Sequence, residues 1–376
     1  MKILIVLKDI TESGGGERVA INLANAFMEQ GFEVEVLSFF KLNTNLSFAL
    51  APRIHITYLS SLSPKTKNVF LKLFCKSVYR YYLCKKAHSY ILKSKPSMVL
   101  ANDGWFIPPN LFDNALYLRL WHLNAPKKIS QRKRDIFALF HTLIILSTKE
   151  LSLWQSYHKD VRVIANFLPF IPTAQTDISQ KRVVSIGRMD RGDQKGFLRL
   201  IDIWALVQQS LHKSKQQSSS NFPSSLLDSW QLIIVGEGEL KSEIESKIKA
   251  LHLEDSILLK PFTKLIEKEY LNASIYAMTS FFEGFGMVLV EASSYALPCI
   301  AFDVKTGPSD IIEHKKSGYL IEDNDLQGYA NALIELMSDE NRREEMGKYA
   351  KQRIKENFSK EAIMPLWEEV LESKKP

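Results

Sequence analysis

Short apolar runs alternate with amphipathic helical patterns along the whole chain, and this alternation is the feature that most restricts its fold. Strands separated by helices in this way form parallel, doubly wound sheets. The chain has 376 residues, whereas a single hydrophobic core stops growing at about 250–300 residues. We therefore predict an α/β protein with two Rossmann-like, doubly wound domains. The predicted strands are 2–7, 32–39, 98–101, 116–120 and 143–147, followed by 183–186, 232–235, 257–259, 275–278 and 299–302.

A proline-containing segment at 166–176 separates the two series of strands. It predicts a linker between an N-terminal domain over 1–168 and a C-terminal domain over 177–357. Two such domains predict a cleft lined by the carboxyl ends of both sheets, because ligands of parallel sheets bind there. A Ser- and Gln-rich stretch at 213–225 predicts a surface loop in the second domain.

The overall composition is that of a soluble globular protein, with 45% hydrophobic and 24% charged residues. The chain contains no run of about 18 apolar residues, so we expect no membrane-spanning helix. The apolar run at 3–7 is too short for the core of a signal peptide and predicts a buried strand. Cys75, Cys84 and Cys299 are scattered without a CxxC pattern. This spacing argues against a disulfide framework or a structural zinc site and agrees with a reducing cytoplasm.

Positive charge is concentrated in the first half, where residues 1–170 carry a net charge of +12 and the remainder carries −5. Residues 64–95 contain nine Lys or Arg and no Asp or Glu. Basic and apolar side chains fall on different helical faces of this segment, which is typical of binding to an anionic membrane surface. A solvated helix whose apolar face packs on the sheet is the alternative, and both can hold together. No recognised nucleic-acid module accompanies the charge, so we predict no nucleic-acid partner. The basic row consists of Lys72, Lys76 and Arg80, and the apolar face of Phe70, Leu73, Phe74, Val78 and Tyr81.

The most specific chemical signal follows a predicted strand of the second domain. It reads Ser280-Phe-Phe-Glu-Gly-Phe-Gly-Met-Val-Leu-Val-Glu-Ala292. Gly284 and Gly286 allow the backbone to approach a ligand closely, and the helix that begins beside Gly286 directs its free amides at a phosphate. Glu283 and Glu291 flank these amides and can accept hydrogen bonds from hydroxyl groups. The pattern predicts a ligand with a central phosphate and hydroxyls at both ends, as in a nucleotide sugar. An ordinary βα turn, in which the two acids favour the helix start, is the alternative.

The residues around Glu283 and Glu291 resemble the donor-site signature of retaining glycosyltransferase family four, of the bacterial surface-polysaccharide and lipopolysaccharide type. The resemblance implies the GT-B fold, in which two Rossmann-like domains face a cleft. It also implies that Glu283 contacts the donor sugar and that Glu291 contacts the ribose. Contacts to the diphosphate are implied for the backbone around Gly284, Phe285, Gly286, Met287 and Val288.

A second stretch, Ser185-Ile-Gly-Arg-Met189 followed by Lys195-Gly-Phe197, is similar to the Gly-Arg and Lys-Gly-Phe motif of the same family. A diphosphate leaving group gains negative charge as the glycosidic bond breaks, and two cations at a strand end stabilise that charge without a metal. Arg188 and Lys195 are the candidates, and a surface Arg and Lys beside a loop are the alternative. We therefore predict no catalytic metal ion and no cofactor, with the nucleotide sugar acting as a substrate.

The glycine run Ser13-Gly-Gly-Gly-Glu-Arg-Val19 precedes a predicted helix at 17–30. It resembles the first Gly-Gly-x-Glu-Arg turn of the family, which implies that Gly15 and Gly16 face the donor. A dinucleotide fingerprint is the competing interpretation. It fits poorly because Val19 stands where that motif has Gly or Ala, and because the second strand ends without an acidic residue.

Polar residues at the ends of two first-half strands are the remaining candidates in that domain. His122 stands at about the place where the resemblance implies an active-site histidine, although Leu123 rather than an aspartate follows it. A satisfied core histidine is the alternative. Asn102 and Asp103 end another strand and are candidate acceptor contacts, or alternatively a turn.

Two further segments of the second domain are similar to family segments beside the nucleotide. They contain Gly236, in Gly236-Glu-Gly-Glu239, and Phe262, in Lys260-Pro-Phe262. The C-terminal residues 358–376 resemble the family tail, which implies a helix that packs back on the first domain.

Together these features predict transfer of a hexosyl or N-acetylhexosaminyl group from a UDP-sugar to a saccharide hydroxyl. The expected acceptor is a lipid-linked or lipid-anchored glycan, and the resemblance implies retention of configuration. We expect a cytoplasmic enzyme that is peripheral on the inner face of the cell membrane. The alternatives are a sugar-nucleotide-binding protein without catalysis, a GT-B synthase with a small soluble acceptor, and an oxidoreductase.

Overall fold

The computed structural model describes residues 1–61, 78–109, 114–126, 128–216 and 230–373. The chain divides into two compact units. Met1–Pro169 and Lys360–Pro376 form the first, and Phe170–Ser359 form the second. The first unit is therefore built from both ends of the chain.

Seven parallel strands form the sheet of the first unit: β1 (Lys2–Leu7), β2 (Glu33–Ser38), β3 (His55–Tyr58), β4 (Met98–Ala101), β5 (Leu116–Leu120), β6 (Thr142–Ile145) and β7 (Val161–Val163). Their order is β3-β2-β1-β4-β5-β6-β7. Successive residues Ile3 to Val6 have no exposed surface, so both faces of the central strand are covered, as a parallel sheet requires. The two edge strands β3 and β7 were not predicted, because they are short and only partly buried.

Helices α1 (Gly15–Glu29), α2 (Arg80–Ser94), α3 (Gln131–Phe137) and α4 (Leu151–Gln155) connect these strands. Helix α1 begins two residues before the predicted start, so Gly15 and Gly16 lie in its first turn rather than in a loop. Gly14 is the N-cap, with an extended backbone, and Glu17 in the first turn has the charge that favours a helix start.

Helix α2 corrects the expected packing of the basic segment. It buries Leu83, Cys84, Ala87 and Ile91, whereas Val78 and Tyr81 of the expected packing face are 60% and 64% exposed. The buried stripe therefore lies on another side of the helix. Arg80 of the expected basic row donates instead to the backbone carbonyls of Trp105 and Gly104, at 2.9 and 2.6 Å. The other members of the row and of the face, Lys72, Lys76, Phe70, Leu73 and Phe74, lie outside the described residues.

Six parallel strands form the sheet of the second unit: β8 (Arg182–Ile186), β9 (Gln231–Val235), β10 (Ile257–Lys260), β11 (Ile275–Met278), β12 (Cys299–Phe302) and β13 (Gly318–Ile321). Their order is β10-β9-β8-β11-β12-β13. Each unit is thus a parallel α/β sheet, which confirms the predicted fold class.

The helices of the second unit are α5 (Phe197–Gln216), α6 (Lys241–Ala250), α7 (Ile266–Leu271), α8 (Met287–Ser294), α9 (Pro308–Ile311), α10 (Leu326–Ser338) and α11 (Glu340–Asn357). Helix α5 continues to Gln216, so the first part of the loop predicted at 213–225 is helical, and the rest lies outside the described residues. Within the described residues, no helix has the length and the apolar character needed to span a bilayer.

The last helix, α12 (Lys360–Glu372), packs on α1 in the first unit. Trp367 is only 2% exposed, and its ring contacts Phe27 edge to face with 5.8 Å between the centroids. Two polar contacts flank the rings: Gln30 donates to Glu368 at 2.7 Å, and Lys360 pairs with Glu29 at 2.6 Å. The end of the chain thus contributes to the core of the first unit.

Candidate active site

Ligands of doubly wound sheets bind at the point where the strand order reverses, beyond the carboxyl ends of the strands. In the second unit this point lies between β8 and β11, and the loops that follow these strands carry Lys195 and Glu283. Lys195 Nζ lies 2.7 Å from Glu283 Oε1. The Glu283 side chain is only 8% exposed, so the ion pair holds a nearly buried carboxylate at this edge. The two predicted site residues are 88 positions apart in the sequence and are brought together by the fold.

Backbone contacts between the two loops hold this pair in place. The Phe281 amide donates to the Gln194 carbonyl at 2.9 Å, and Thr279 Oγ1 donates to the Gly196 carbonyl at 2.8 Å. Gly196 has a φ of +69°, and a Cβ at this position would lie 1.9 Å from the Thr279 carbonyl oxygen. Glycine is therefore required beside Lys195 for the loops to approach each other.

Arg199, in the first turn of α5, is a residue of this site that the sequence analysis missed. Its Nε and Nη2 each donate at 2.5 Å to the carbonyls of Thr279 and Ser280. The guanidinium lies 3.9 Å from the centroid of the Phe281 ring and 4.2 Å from that of Phe302. Arg199 is 6% exposed, and a lone cation among the apolar positions of a helix was the signal that could have revealed it. It fixes the backbone that leads to Glu283.

Helix α8 starts immediately after this loop. Gly286 is its N-cap with a φ of +96°, a conformation that favours glycine. Phe285 is buried and packs on Phe358 with 5.7 Å between the ring centroids. The first turn also contains Met287 and Val288, both partly exposed. The backbone that was expected to bind a diphosphate is therefore a helix start with no side-chain cap, and amides at such a start favour anions.

A third loop, after β12, supports the same backbone. Thr306 Oγ1 donates to the Glu283 carbonyl at 2.6 Å. Gly307 has a φ of +98°, and a Cβ there would lie 2.2 Å from the Phe285 carbonyl oxygen. These contacts position Glu283 and Phe285 from the side opposite to Arg199 in the chain order of the sheet, beyond β12.

The second glutamate of the motif lies inside α8 and is bound to protein. Glu291 is 8% exposed, and its Oε2 accepts a hydrogen bond from the Tyr270 hydroxyl at 3.0 Å. Tyr270 in turn stacks on Tyr295 with 5.6 Å between the centroids. The structure thus supplies Glu291 with a tyrosine partner that no sequence pattern indicated.

Arg188 has a different environment from Lys195. Its side chain is 75% exposed and pairs with Asp190 at 2.9 Å. The two predicted cations therefore have different carboxylate partners in this structure. Arg188 is a solvated residue of the loop after β8, whereas Lys195 belongs to the nearly buried pair.

The two remaining candidates of the second unit differ in what their positions explain. A Cβ on Gly236 would lie 1.9 Å from the Gly187 carbonyl oxygen, so close approach of β9 to the end of β8 is enough to require glycine there. Phe262 is 64% exposed and follows the end of β10. Protein packing accounts for Gly236, and it does not account for Phe262.

An Asp-x-Asp triplet, a pattern common in metal-dependent sugar transferases, occurs at Asp323-Asn324-Asp325, and the expectation of a metal-free site did not take it into account. Asp323 pairs with Arg199 at 2.8 Å. Asp325 is the N-cap of α10 and accepts from the Gly328 amide at 2.8 Å. Both carboxylates therefore have structural partners. Within the described residues, no group of three His, Cys, Asp or Glu side chains is arranged to hold a metal ion.

In the first unit the strand order reverses between β1 and β4, and three predicted residues meet at this edge. Asn102 Nδ2 donates to the Gly16 carbonyl at 2.9 Å. His122 Nε2 lies 3.0 Å from Asn102 Oδ1. Burial and the charge of Arg119 lower the pKa of His122 to about 4. His122 is therefore a neutral imidazole at physiological pH.

Gly15 and Asp103 show why the glycine run and the acidic residue must be judged separately. A Cβ on Gly15 would meet no atom within 4 Å, so the packing of this unit does not require glycine there. Asp103 accepts hydrogen bonds from the amides of Lys8 and Trp105, and burial raises the pKa of its carboxyl group. Asp103 thus braces the loop after β4, which agrees with the turn interpretation.

Comparison with known proteins places this geometry in a family. Residues 173–353 match the family model described as Glycosyl transferases group 1. The amylovoran biosynthesis glycosyltransferase AmsD of Erwinia amylovora is 29% identical over 98% of this chain and 99% of the relative. A Campylobacter jejuni relative is 24% identical over 95% of this chain and 94% of its own length. It is named as an alpha-1,4-N-acetyl-D-galactosaminyltransferase of a diNAcBac-PP-undecaprenol-linked glycan.

Two solved structures share the whole fold. S. aureus TarM, solved with UDP, has a TM-score of 0.75 at 18% identity and covers 98% of this chain and 99% of its own. Sucrose-phosphate synthase from Thermosynechococcus elongatus has a TM-score of 0.76 at 18% identity, with 99% of each chain covered. These similarities confirm the predicted GT-B fold class. Residues 173–353 therefore form a group 1 glycosyl transferase domain, in a chain whose full-length relatives are named as glycosyltransferases.

Proposed function

We propose that the protein transfers a hexosyl or N-acetylhexosaminyl group from a UDP-sugar to a saccharide hydroxyl, with retention of configuration. The observation that carries this proposal is the nearly buried Lys195–Glu283 pair beside the uncapped start of α8. Amides and a lysine together suit a diphosphate, and a carboxylate suits the hydroxyls of a sugar. UDP is the nucleotide in the TarM complex named above, which supports the choice of donor.

The proposed reaction breaks the bond between the anomeric carbon and the UDP phosphate oxygen. A bond between that carbon and the acceptor oxygen forms on the same face, and the departing phosphate oxygen takes the acceptor proton. The products are UDP and the lengthened saccharide, so the step needs no other reactant. The contribution of Lys195 is a preorganised positive charge where the leaving group gains negative charge. Glu283 accepts hydrogen bonds from the donor sugar and orients it.

A lipid-linked or lipid-anchored glycan is the proposed acceptor, and the exposed side of α2 supports it. Tyr81 and Tyr82 are 64% and 52% exposed. Lys85 Nζ lies 4.9 Å from the centroid of the Tyr81 ring, and Lys86 Nζ lies 5.3 Å from that of Tyr82. Exposed aromatic rings beside lysines suit the interface of an anionic bilayer. We propose that this side of α2 binds the inner face of the cell membrane peripherally.

The donor is tested with a panel of nucleotide sugars and a thermal-shift readout. A ligand that binds only the folded state at 100 times its Kd stabilises the protein by about 2.7 kcal/mol. We expect a UDP-sugar to raise Tm, and UDP release to follow when a lipid-linked saccharide is added. Binding without turnover across all acceptors would support a non-catalytic sugar-nucleotide-binding protein, and turnover with soluble acceptors alone would support a small-acceptor synthase. Proton NMR of the product distinguishes retention from inversion at the anomeric carbon.

The membrane proposal is tested separately by flotation with liposomes that contain anionic lipid. We expect the wild type to float at low salt and Tyr81→Ser/Tyr82→Ser to stay in the soluble fraction. Leu251→Ser is the matched control, because Leu251 is a 40% exposed apolar residue of the second unit. Equal recovery of the wild type with and without anionic lipid would overturn the proposal.

A further inference from the structure

A short hydrogen-bonded chain links the start of α1 to the ends of β4 and β5. Asn102 is 2% exposed, and its side-chain amide lies between two partners, the Gly16 carbonyl at 2.9 Å and His122 Nε2 at 3.0 Å. An asparagine held at both ends of its amide has a single orientation. The orientation matters because one end of the amide donates and the other accepts.

The identity of the two partners settles which end faces which. The Gly16 carbonyl only accepts hydrogen bonds, so the Asn102 NH₂ group must face it. The oxygen of Asn102 then faces His122, and this oxygen only accepts. His122 Nε2 must therefore carry the proton. In the neutral ring the lone pair lies on Nδ1, which makes no hydrogen bond within the described part of the chain.

The charged groups around the ring are few. Arg119, on β5, is the charge that acts on the imidazole, and it disfavours a second proton. Asp103 follows Asn102, but both of its carboxylate oxygens are taken by the amides of Lys8 and Trp105. Glu17, in the first turn of α1, is the remaining acid nearby, and burial raises the pKa of its carboxyl group. The surroundings therefore provide no carboxylate partner for an imidazolium.

We propose that Asn102 is a positioning residue that holds His122 as the Nε2–H tautomer, so that Nδ1 accepts a hydrogen bond from a substrate hydroxyl. The second half of this statement rests on the proposed glycosyl transfer, and the first half does not. In this arrangement His122 orients a hydroxyl as an acceptor group and does not donate a proton to the leaving phosphate. An aspartate at position 102 would instead favour the imidazolium and remove the lone pair.

The tautomer and the pKa are measured together by nitrogen NMR on protein with ¹⁵N-labelled histidine. His122→Gln identifies the signal of His122 by its loss. We expect the wild type to show the Nε2–H pattern and a pKa well below the ordinary value of 6.5. The Nδ1–H pattern, or a pKa at or above 6.5, would overturn the inference, and this measurement needs no substitution at Asn102.

Asn102→Asp tests the positioning role, because a carboxylate next to an imidazole favours its charged form and shifts a pKa by about 1–3 units. We expect the pKa of His122 to rise by that amount, and the acid limb of the kcat/KM profile to move to higher pH by a similar amount. Asn25→Asp is the matched control: it adds the same charge on α1, where Asn25 bonds the backbone of Ala49 and Ala51, and should leave the pKa of His122 unchanged. An unchanged pKa in Asn102→Asp would refute the role.

The two readouts separate this inference from the proposed function. The NMR result stands without any turnover, so absence of transfer with every donor would defeat the proposed function and leave the tautomer intact. Normal transfer by a protein with the Nδ1–H tautomer would defeat the inference and leave the function intact. A shifted pKa in Asn102→Asp without a shifted rate profile would show that Nδ1 does not act on the substrate.

Discussion

Lys195→Met is the perturbation that most directly tests the candidate site. The substitution keeps the apolar stem and removes the ammonium that lies 2.7 Å from Glu283. An ion pair that is fully exposed contributes about 0.2–1 kcal/mol, whereas breaking a buried pair costs about 3–5 kcal/mol. The side chains of Lys195 and Glu283 are 22% and 8% exposed, so we expect an intermediate loss of stability, about 1–3 kcal/mol.

The effect on catalysis should be larger than the effect on folding. Removing one preorganised charge contact to a developing negative charge lowers kcat by about 10²–10³-fold, which corresponds to about 2.7–4 kcal/mol. We expect this loss in UDP release at saturating UDP-sugar, measured below the Tm of the variant. Lys247→Met is the control, because Lys247 pairs with Asp202 at the same 2.7 Å with 27% and 42% exposure. It should keep near-normal turnover.

The combination with Glu283→Gln distinguishes a catalytic pair from a structural one. If both side chains contact the donor independently, the losses in kcat/KM should approximately add in the double variant. If each acts only by holding the other, the double variant should be no worse than the poorer single variant. Turnover within about threefold of the wild type in Lys195→Met would refute the assignment of this edge as the donor site, since a lost transition-state charge contact costs far more.

Three further outcomes are expected. Gly16→Ala should fold normally, because its Cβ would lie 3.8 Å from the nearest atom, yet lower transfer if the donor approaches α1. Gly196→Ala should instead lower Tm, since its Cβ would clash with a carbonyl. Because the folded-state pKa of His122 is about 4 against an ordinary 6.5, the unfolded state binds more protons between these values, and stability falls as pH falls through that window. Urea unfolding of His122→Gln should therefore show about 3 kcal/mol less loss between pH 7 and pH 4. Trp367→Ala should cost about 3–5 kcal/mol in the first unit, by tryptophan fluorescence and hydrogen exchange.

The sequence predicted the central strands well, because buried parallel strands are continuous apolar runs. Strands β3 and β7 have no such run, since they lie at the edges of the sheet, and their residues are mostly half exposed. Strand β13 also escaped prediction, because its four residues begin with a glycine. Local patterning thus detects the core of a sheet better than its borders.

The site was partly predictable for a different reason. Chemistry alone pointed to Lys195 and Glu283, because a diphosphate and a sugar require a cation and a hydrogen-bond acceptor. The clamp of Arg199 on two carbonyls was not predictable, because it depends on the path of a backbone some 80 residues later. The Tyr270 partner of Glu291 was missed for the same reason. Exposure also separated Arg188 from Lys195, which the shared motif had treated alike.

The return of α12 to the first unit sets the order in which the molecule can be completed during synthesis. The ribosome finishes every strand of the first sheet before it starts the second unit, yet Trp367 emerges only after that unit is made. At about 5–20 residues per second, residues 170–359 take on the order of 10–40 s to synthesise. Throughout this interval the side of Phe27 that Trp367 will cover faces water on a nascent chain. A premature stop before Lys360 leaves that apolar surface uncovered permanently, even though both sheets are complete.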